Sequence, residues 1–155
     1  MNLDELKKKV QDIVAQAKLL SASHTSEGNA PVNYACIFAQ SQEEFDELAG
    51  LTHQLGKVVQ DTAMGPVFKI EPISTVSGDL HLLKIRRPDL KRQERGDADF
   101  TVSDYQVFKM TYLGKPGFAI IERKDMEMIE LRDPAFRVIS YYSHPTLAQV
   151  LKLEI

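Results

Sequence analysis

Between Val32 and Tyr142 the sequence passes twice through the same succession of patterns, which limits the folds open to it more than any other feature. Each pass predicts a strand, a helix and three further strands. In the first, VNYACIFA (32–39) is aromatic and β-branched enough for a buried strand. Ser41 and Glu44 then form a capping box. Phe45, Leu48, Leu51 and Leu55 recur at helical spacing, and Gly56 supplies the stop. KVVQDT (57–62), VFKIEPI (67–73) and LHLLKIR (80–86) follow as strands, divided by Met64-Gly65-Pro66 and Ser77-Gly78 and ended by Pro88.

The second pass opens with ADFTV (98–102). Ser103 and Gln106 form another capping box ahead of a short helix carrying Tyr105, Phe108 and Tyr112 on one face, which Gly114, Pro116 and Gly117 end. GFAIIER (117–123), MEMIELR (126–132) and FRVISYY (136–142) are its strands, with turns at Lys124-Asp125 and Asp133-Pro134. Residues 146–153 predict a terminal helical turn. The two units, about 32–86 and 98–142, share element order and little residue identity.

Ahead of them, Leu3, Leu6, Val10, Ile13, Val14, Ala17 and Leu20 make residues 1–20 an amphipathic helix capped by Asn2 and Glu5. Lys7, Lys8 and Lys9 lie mostly off its apolar stripe. SASHTSEGNAP (21–31) is small, polar and proline-ended, as a linker would be. The expected architecture is α+β: an N-terminal helix, then two βαβββ-like units forming a largely antiparallel, curved sheet in a single domain over 32–155. The helix, set apart by the linker, suggests a homodimer interface.

A chain of 155 residues with net charge −3 has a core of adequate size and no global attraction to nucleic acid or anionic lipid. Its one cysteine, Cys36, excludes an internal disulfide and a multi-thiolate zinc site. No apolar run reaches the roughly 20 residues that span a bilayer, and MNLDELKKKV is no secretory signal, so a cytoplasmic protein without a membrane partner is expected. No HxH, HxxxH, HExxH, GxSxG, GxGxxG or P-loop spacing occurs.

Paired βαβββ units, a helix ending in Leu55-Gly56 and running into Lys57-Val58-Val59, and MEMIEL at 126–131 resemble the vicinal oxygen chelate superfamily of glyoxalase-type enzymes, extradiol dioxygenases and drug-sequestering proteins. The resemblance implies modules closed around a pocket. A divalent metal ion, where present, takes ligands from the first and last strands of each module. Carried onto this chain, it implies Asp99, Glu127 or Glu130, and His81 as metal ligands. Asn33, Tyr34 and Cys36 stand where a metal enzyme usually has histidine.

Strand alternation puts Glu127 with Ile129 and Leu131 on the presumptive core face, and Glu130 on the solvent face. A carboxylate so placed has its proton affinity raised unless a cation meets it, which makes Glu127 the candidate general base or ligand; the other reading is a structural ion pair with a nearby Arg or Lys. His81, with Leu83 and Ile85 as same-face neighbours, reads as a ligand or as a satisfied core histidine. Cys36, mid-strand, reads as a small buried hydrophobe, since no thiolate-stabilising partner is evident.

HLLKIRRPDLKRQERGDADF (81–100) places six basic residues, Lys84, Arg86, Arg87, Lys91, Arg92 and Arg95, within twelve positions. Interleaved carboxylates and the lack of aromatics inside the loop argue against nucleic acid. A solvated, ion-paired loop is one reading. The other is the rim of a site, where Lys84 and Arg86, sharing a strand face, clamp a carboxylate or phosphate. Arg95-Gly96-Asp97 then turns the chain back, placing a third cation at the loop's exit, with Asp97 and Asp99 positioning the arginines or binding an ion. The functional expectation is a protein that binds a small anionic molecule or acts on one as a metal-assisted lyase, isomerase or dioxygenase. A non-catalytic oligomeric or regulatory module stands as the alternative.

Overall fold

A computed structural model describes all 155 residues, Met1–Ile155. After α1 (Leu3–His24), the first unit contains β1 (Val32–Phe38), α2 (Gln42–His53), β2 (Gly56–Thr62), β3 (Gly65–Thr75) and β4 (Gly78–Arg86). The second contains β5 (Gly96–Phe100), α3 (Tyr105–Tyr112), β6 (Phe118–Glu122), β7 (Glu127–Leu131) and β8 (Val138–His144), and α4 (Leu147–Val150) follows. The βαβββ order therefore occurs twice.

All eight strands lie in one curved, open sheet of order β2-β3-β4-β1-β5-β8-β7-β6. Each unit folds its last strand back beside its first, so β1 pairs parallel with β4 and β5 parallel with β8; the other five pairings are antiparallel. The units meet within one chain at the antiparallel β1–β5 seam, where Cys36 faces Asp97 and Ile37 faces Gly96.

Glycine is required at that seam. A Cβ on Gly96 would lie 2.5 Å from the Cys36 carbonyl oxygen and 2.8 Å from Ile13 Cδ1 on α1. Here the structure corrects the expected turn at 95–97: Gly96 and Asp97 are strand residues, because only a side-chain-free position lets β5 approach β1 under the helix.

α1, α2 and α3 cover one face. Leu6, Val10, Ile13, Val14, Ala17 and Leu20 of α1 are buried in the main core with Ala35 and Ile37 of β1, Leu83 and Ile85 of β4, Ala98 and Phe100 of β5, and Ile129 and Leu131 of β7. Each large side chain fully buried there contributes about 1.5–3 kcal/mol. The apolar stripe that suggested a dimer interface is thus buried against the chain's own sheet, across both units. α1 also runs one turn beyond residue 20, because Ser21 is buried and its Oγ bonds the Tyr142 hydroxyl at 2.6 Å. Asp104, rather than Ser103, caps α3, accepting from the Val107 N–H at 3.1 Å. No helix is long and apolar enough to cross a membrane.

The opposite face carries a smaller set of apolar side chains, Cys36, Phe38, Met128, Ile139 and Tyr141, with Val67 and Leu82 packed under Leu147 of α4. This open face holds the candidate site.

Candidate functional site

Strand alternation on β4 sends Leu83 and Ile85 into the helix-covered core and leaves Lys84 and Arg86 on the open face. There they line a cavity of about 380 Å³, within the range of small-molecule sites. All eight strands contribute to it, with Tyr34, Cys36 and Phe38 from β1, Asp97 from β5 and Tyr141 from β8 at its floor. Arg92, the turn 123–126, and Leu147 and Val150 of α4 form the rim. Five cations, Lys84, Arg86, Arg92, Arg123 and Lys124, face two acids, Asp97 and Asp125. The field in the cavity is therefore positive in a protein whose net charge is −3.

The two residues expected to act as a clamp are held in place. The Arg86 guanidinium lies 5.2 Å from the centre of the Phe38 ring and pairs with Asp89 at 3.4 Å. The register sets Lys84 opposite Cys36 on β1, and Cys36 opposite Asp97 on β5, in one row across three strands.

The two acids of β5 differ in their partners. Asp99 is fully buried and its Oδ1 accepts from the Ser143 N–H at 3.1 Å, the Ser143 hydroxyl at 2.8 Å and the Asn33 amide at 3.1 Å. Burial raises its carboxyl to about 7 against the pull of those donors. Asp97 is 6% exposed, and its Oδ1 has no hydrogen-bond partner. Burial, then the Asp99 charge, raise it to about 8, opposed by Lys84, Arg86 and Arg92. A carboxyl in that range can hold or release a proton near neutral pH. Burial, then Asp97, push the Cys36 thiol well up, so Cys36 is an unionised, small floor residue.

The other expected site residues do not join this group. Glu127 sits at the start of β7 on the helix side, where its Oε2 accepts from Tyr105 Oη at 2.7 Å and Lys109 Nζ at 2.9 Å. Its proton affinity is lowered, not raised, through the Lys109 bond first and the Tyr105 bond second. The ion-pair reading fits, because a strand-end carboxylate half open to solvent meets a lysine from α3. Glu130, expected in solvent, is half-buried and accepts from the Tyr141 hydroxyl at 2.9 Å. His81 is half-buried on β4 and does not line the cavity. Arg95 is exposed and lines a separate cavity of about 590 Å³ between α1 and the end of β1. There Lys8, Lys9, Arg95 and Arg137 alternate with Glu5, Asp12 and Glu44, which leaves little net field.

A divalent metal ion does not fit these residues. Asp99 and Glu127 lie on opposite faces of the sheet, no group of three His, Cys, Asp or Glu side chains gathers to hold an ion, and cations already line the cavity.

Sequence reasoning missed Tyr141 and Arg92 as cavity residues, and took Asp97 as a partner of the arginines or an ion rather than as an unpaired floor carboxyl. The alternation Asp97-Ala98-Asp99-Phe100 after Gly96 was the available signal, since it puts both acids on the face opposite the core.

No protein-family model matches the sequence, and no curated protein matches it. Among solved structures, one described as "Structural Genomics, Protein EC4020" aligns with a TM-score of 0.73 at 10% identity, over 96% of this chain and 91% of that one. Glyoxalase I from Zea mays aligns with a TM-score of 0.43 at 12% identity, over 74% of this chain and 42% of its own. An extradiol ring-cleaving dioxygenase from B.fuscum aligns with a TM-score of 0.43 at 13% identity, over 79% of this chain and 37% of its own. The full-length likeness, at 10% identity, is one of fold.

Proposed function

We propose that the chain binds a small anionic molecule in the open-face cavity, with Lys84 and Arg86 as the clamp and Arg92 at the rim. The observation that carries this reading is the convergence of these three cations on one cavity whose floor is buried and whose nearest acid pairs with none of them. Arginine presents a planar fork suited to carboxylate or phosphate, and lysine adds a movable point charge. Charge-assisted hydrogen bonds from groups this enclosed are worth about 1.5–3 kcal/mol each, enough to select an anion over a neutral molecule of the same shape.

Calorimetric titration with sulfate, propionate and propyl phosphate tests the reading. Binding of at least one, weakened about tenfold or more in Lys84→Ala and Arg86→Ala, is expected. Unchanged affinity in Arg86→Ala with the fold intact would remove the clamp.

A further inference from the structure

Asp97 is a buried carboxyl left without a partner. It is 6% exposed, lines the cavity, forms no ion pair and has an Oδ1 with no hydrogen-bond donor near it. Asp99, two residues along the same strand face, has three donors on its Oδ1, and its own unpaired Oδ2 does not line the cavity. A native structure pairs nearly all of its buried polar atoms, so an unpaired one facing an open cavity marks a place where something else binds.

The register defines the gap. Lys84, Cys36 and Asp97 lie in one row across β4, β1 and β5, so Lys84 and Asp97 are two strand spacings apart, about 9–10 Å between Cα atoms. Cationic donors stand at one side, a carboxyl stands at the other, and a small thiol forms the floor between them. The occupant must carry an anionic group for the first and a hydrogen-bonding group for the second.

The surroundings of Asp97 restrict that second group. A second carboxylate would be repelled whenever Asp97 is ionised, so it suits only one protonation state of that carboxyl. An ammonium would face Lys84, Arg86, Arg92, Arg123 and Lys124. A hydroxyl donates and accepts, so it pairs with Asp97 whether that carboxyl is ionised or neutral.

We propose that the ligand is a small hydroxy acid, either a hydroxycarboxylate or a hydroxyalkyl phosphate, whose acid group sits at Lys84 and Arg86 and whose hydroxyl hydrogen-bonds Asp97. This deepens the anion-site reading and rests on it. Asp97 is then the residue that separates hydroxylated from plain anions, because losing the hydroxyl leaves a buried polar atom unpaired.

The test compares matched pairs, lactate against propionate and glycerol 3-phosphate against propyl phosphate, titrated into wild type, Asp97→Ala and Lys84→Ala. In wild type the hydroxylated member of at least one pair should bind about ten- to a hundredfold tighter. In Asp97→Ala that advantage should vanish while the plain anion binds at least as well. In Lys84→Ala both members should weaken by a similar factor. The pair that responds identifies the acid group. Asp97→Ala should also melt no lower than wild type, since it removes an unpaired carboxyl; a lower melting temperature would assign Asp97 a structural role and overturn the proposal. Equal binding of the members of both pairs in wild type, or an advantage that survives in Asp97→Ala, would overturn the hydroxyl assignment alone. If wild type binds none of the four anions, the anion site itself fails and the hydroxyl assignment with it.

Discussion

Replacing Asp97 by asparagine should make the protein's stability fall less steeply with pH, while Asp99, raised to about 7 by burial, keeps a slope of the same sign in both proteins. Inside the fold the Asp97 carboxyl is raised from 3.8 to about 8, by burial first and the Asp99 charge second. In the unfolded chain it ionises at its ordinary value. Above that value the unfolded chain has released a proton that the folded chain retains, so the contribution is complete below about pH 4 and is lost as pH rises toward 8. From pH 4 to 7 the loss runs at about 1.4 kcal/mol per unit, on the order of 4 kcal/mol in all. Asparagine keeps the shape and does not titrate. Urea unfolding at pH 5, 6, 7 and 8 should therefore show the variant gaining on wild type by about 1 kcal/mol for each unit of pH. Glu127 and Asp133, both lowered by their partners, add stability that is lost only as pH falls below the ordinary carboxylate range, and both proteins share them. Parallel curves for the two proteins would refute the account of Asp97 as a carboxyl kept neutral by its burial.

Three further outcomes are expected. Glu127→Gln should lower stability by about 0.5–1.5 kcal/mol through the weakened bonds to Lys109 and Tyr105, and leave anion binding unchanged; lost binding would put Glu127 back into the site. Gly96→Ala should lower the melting temperature in scanning calorimetry by several degrees, from about 1–3 kcal/mol of overpacking against Cys36 and Ile13, and an unchanged temperature would show that the seam yields. Added Mn²⁺, Fe²⁺, Ni²⁺ or Zn²⁺ should leave the melting temperature unmoved, whereas stoichiometric metal retained after dialysis would overturn the poor fit of the donor set.

The element order was legible because each strand and helix carries its own period. Leu83 and Ile85 against Lys84 and Arg86 gave β4 two distinct faces, and Leu6 through Leu20 gave α1 a stripe. Alternation does not say which face the helices cover, since that depends on how α1, α2 and α3 dock. Glu127 shows the limit: it lies on the face of Ile129 and Leu131, as its parity required, yet at the strand's end, where Lys109 from another element reaches it. The place of Asp97 within the sheet was hidden because β5 was expected to begin at Ala98; the Gly96 that starts the strand is explained only by the contact with Cys36 and Ile13. Arg95, three residues beyond Arg92 in the same basic run, falls on a different surface because its backbone, just ahead of β5, is already held between Phe38 and Arg137.

α1 lies across the β1–β5 seam and is fastened to β8 by the Tyr142–Ser21 bond and by the Ser140 hydroxyl donating to the Ala17 carbonyl at 2.8 Å. A splint of this kind resists rocking of the two halves of the sheet against each other, a motion by which the cavity would open and shut as a jaw does. Passage in and out falls to the short segments at the mouth: residues 87–95, the turn at 123–126 and the single turn of α4. Under the proposed function, those segments set how long a ligand stays, while the row of Lys84, Cys36 and Asp97 on the braced sheet sets which ligand stays.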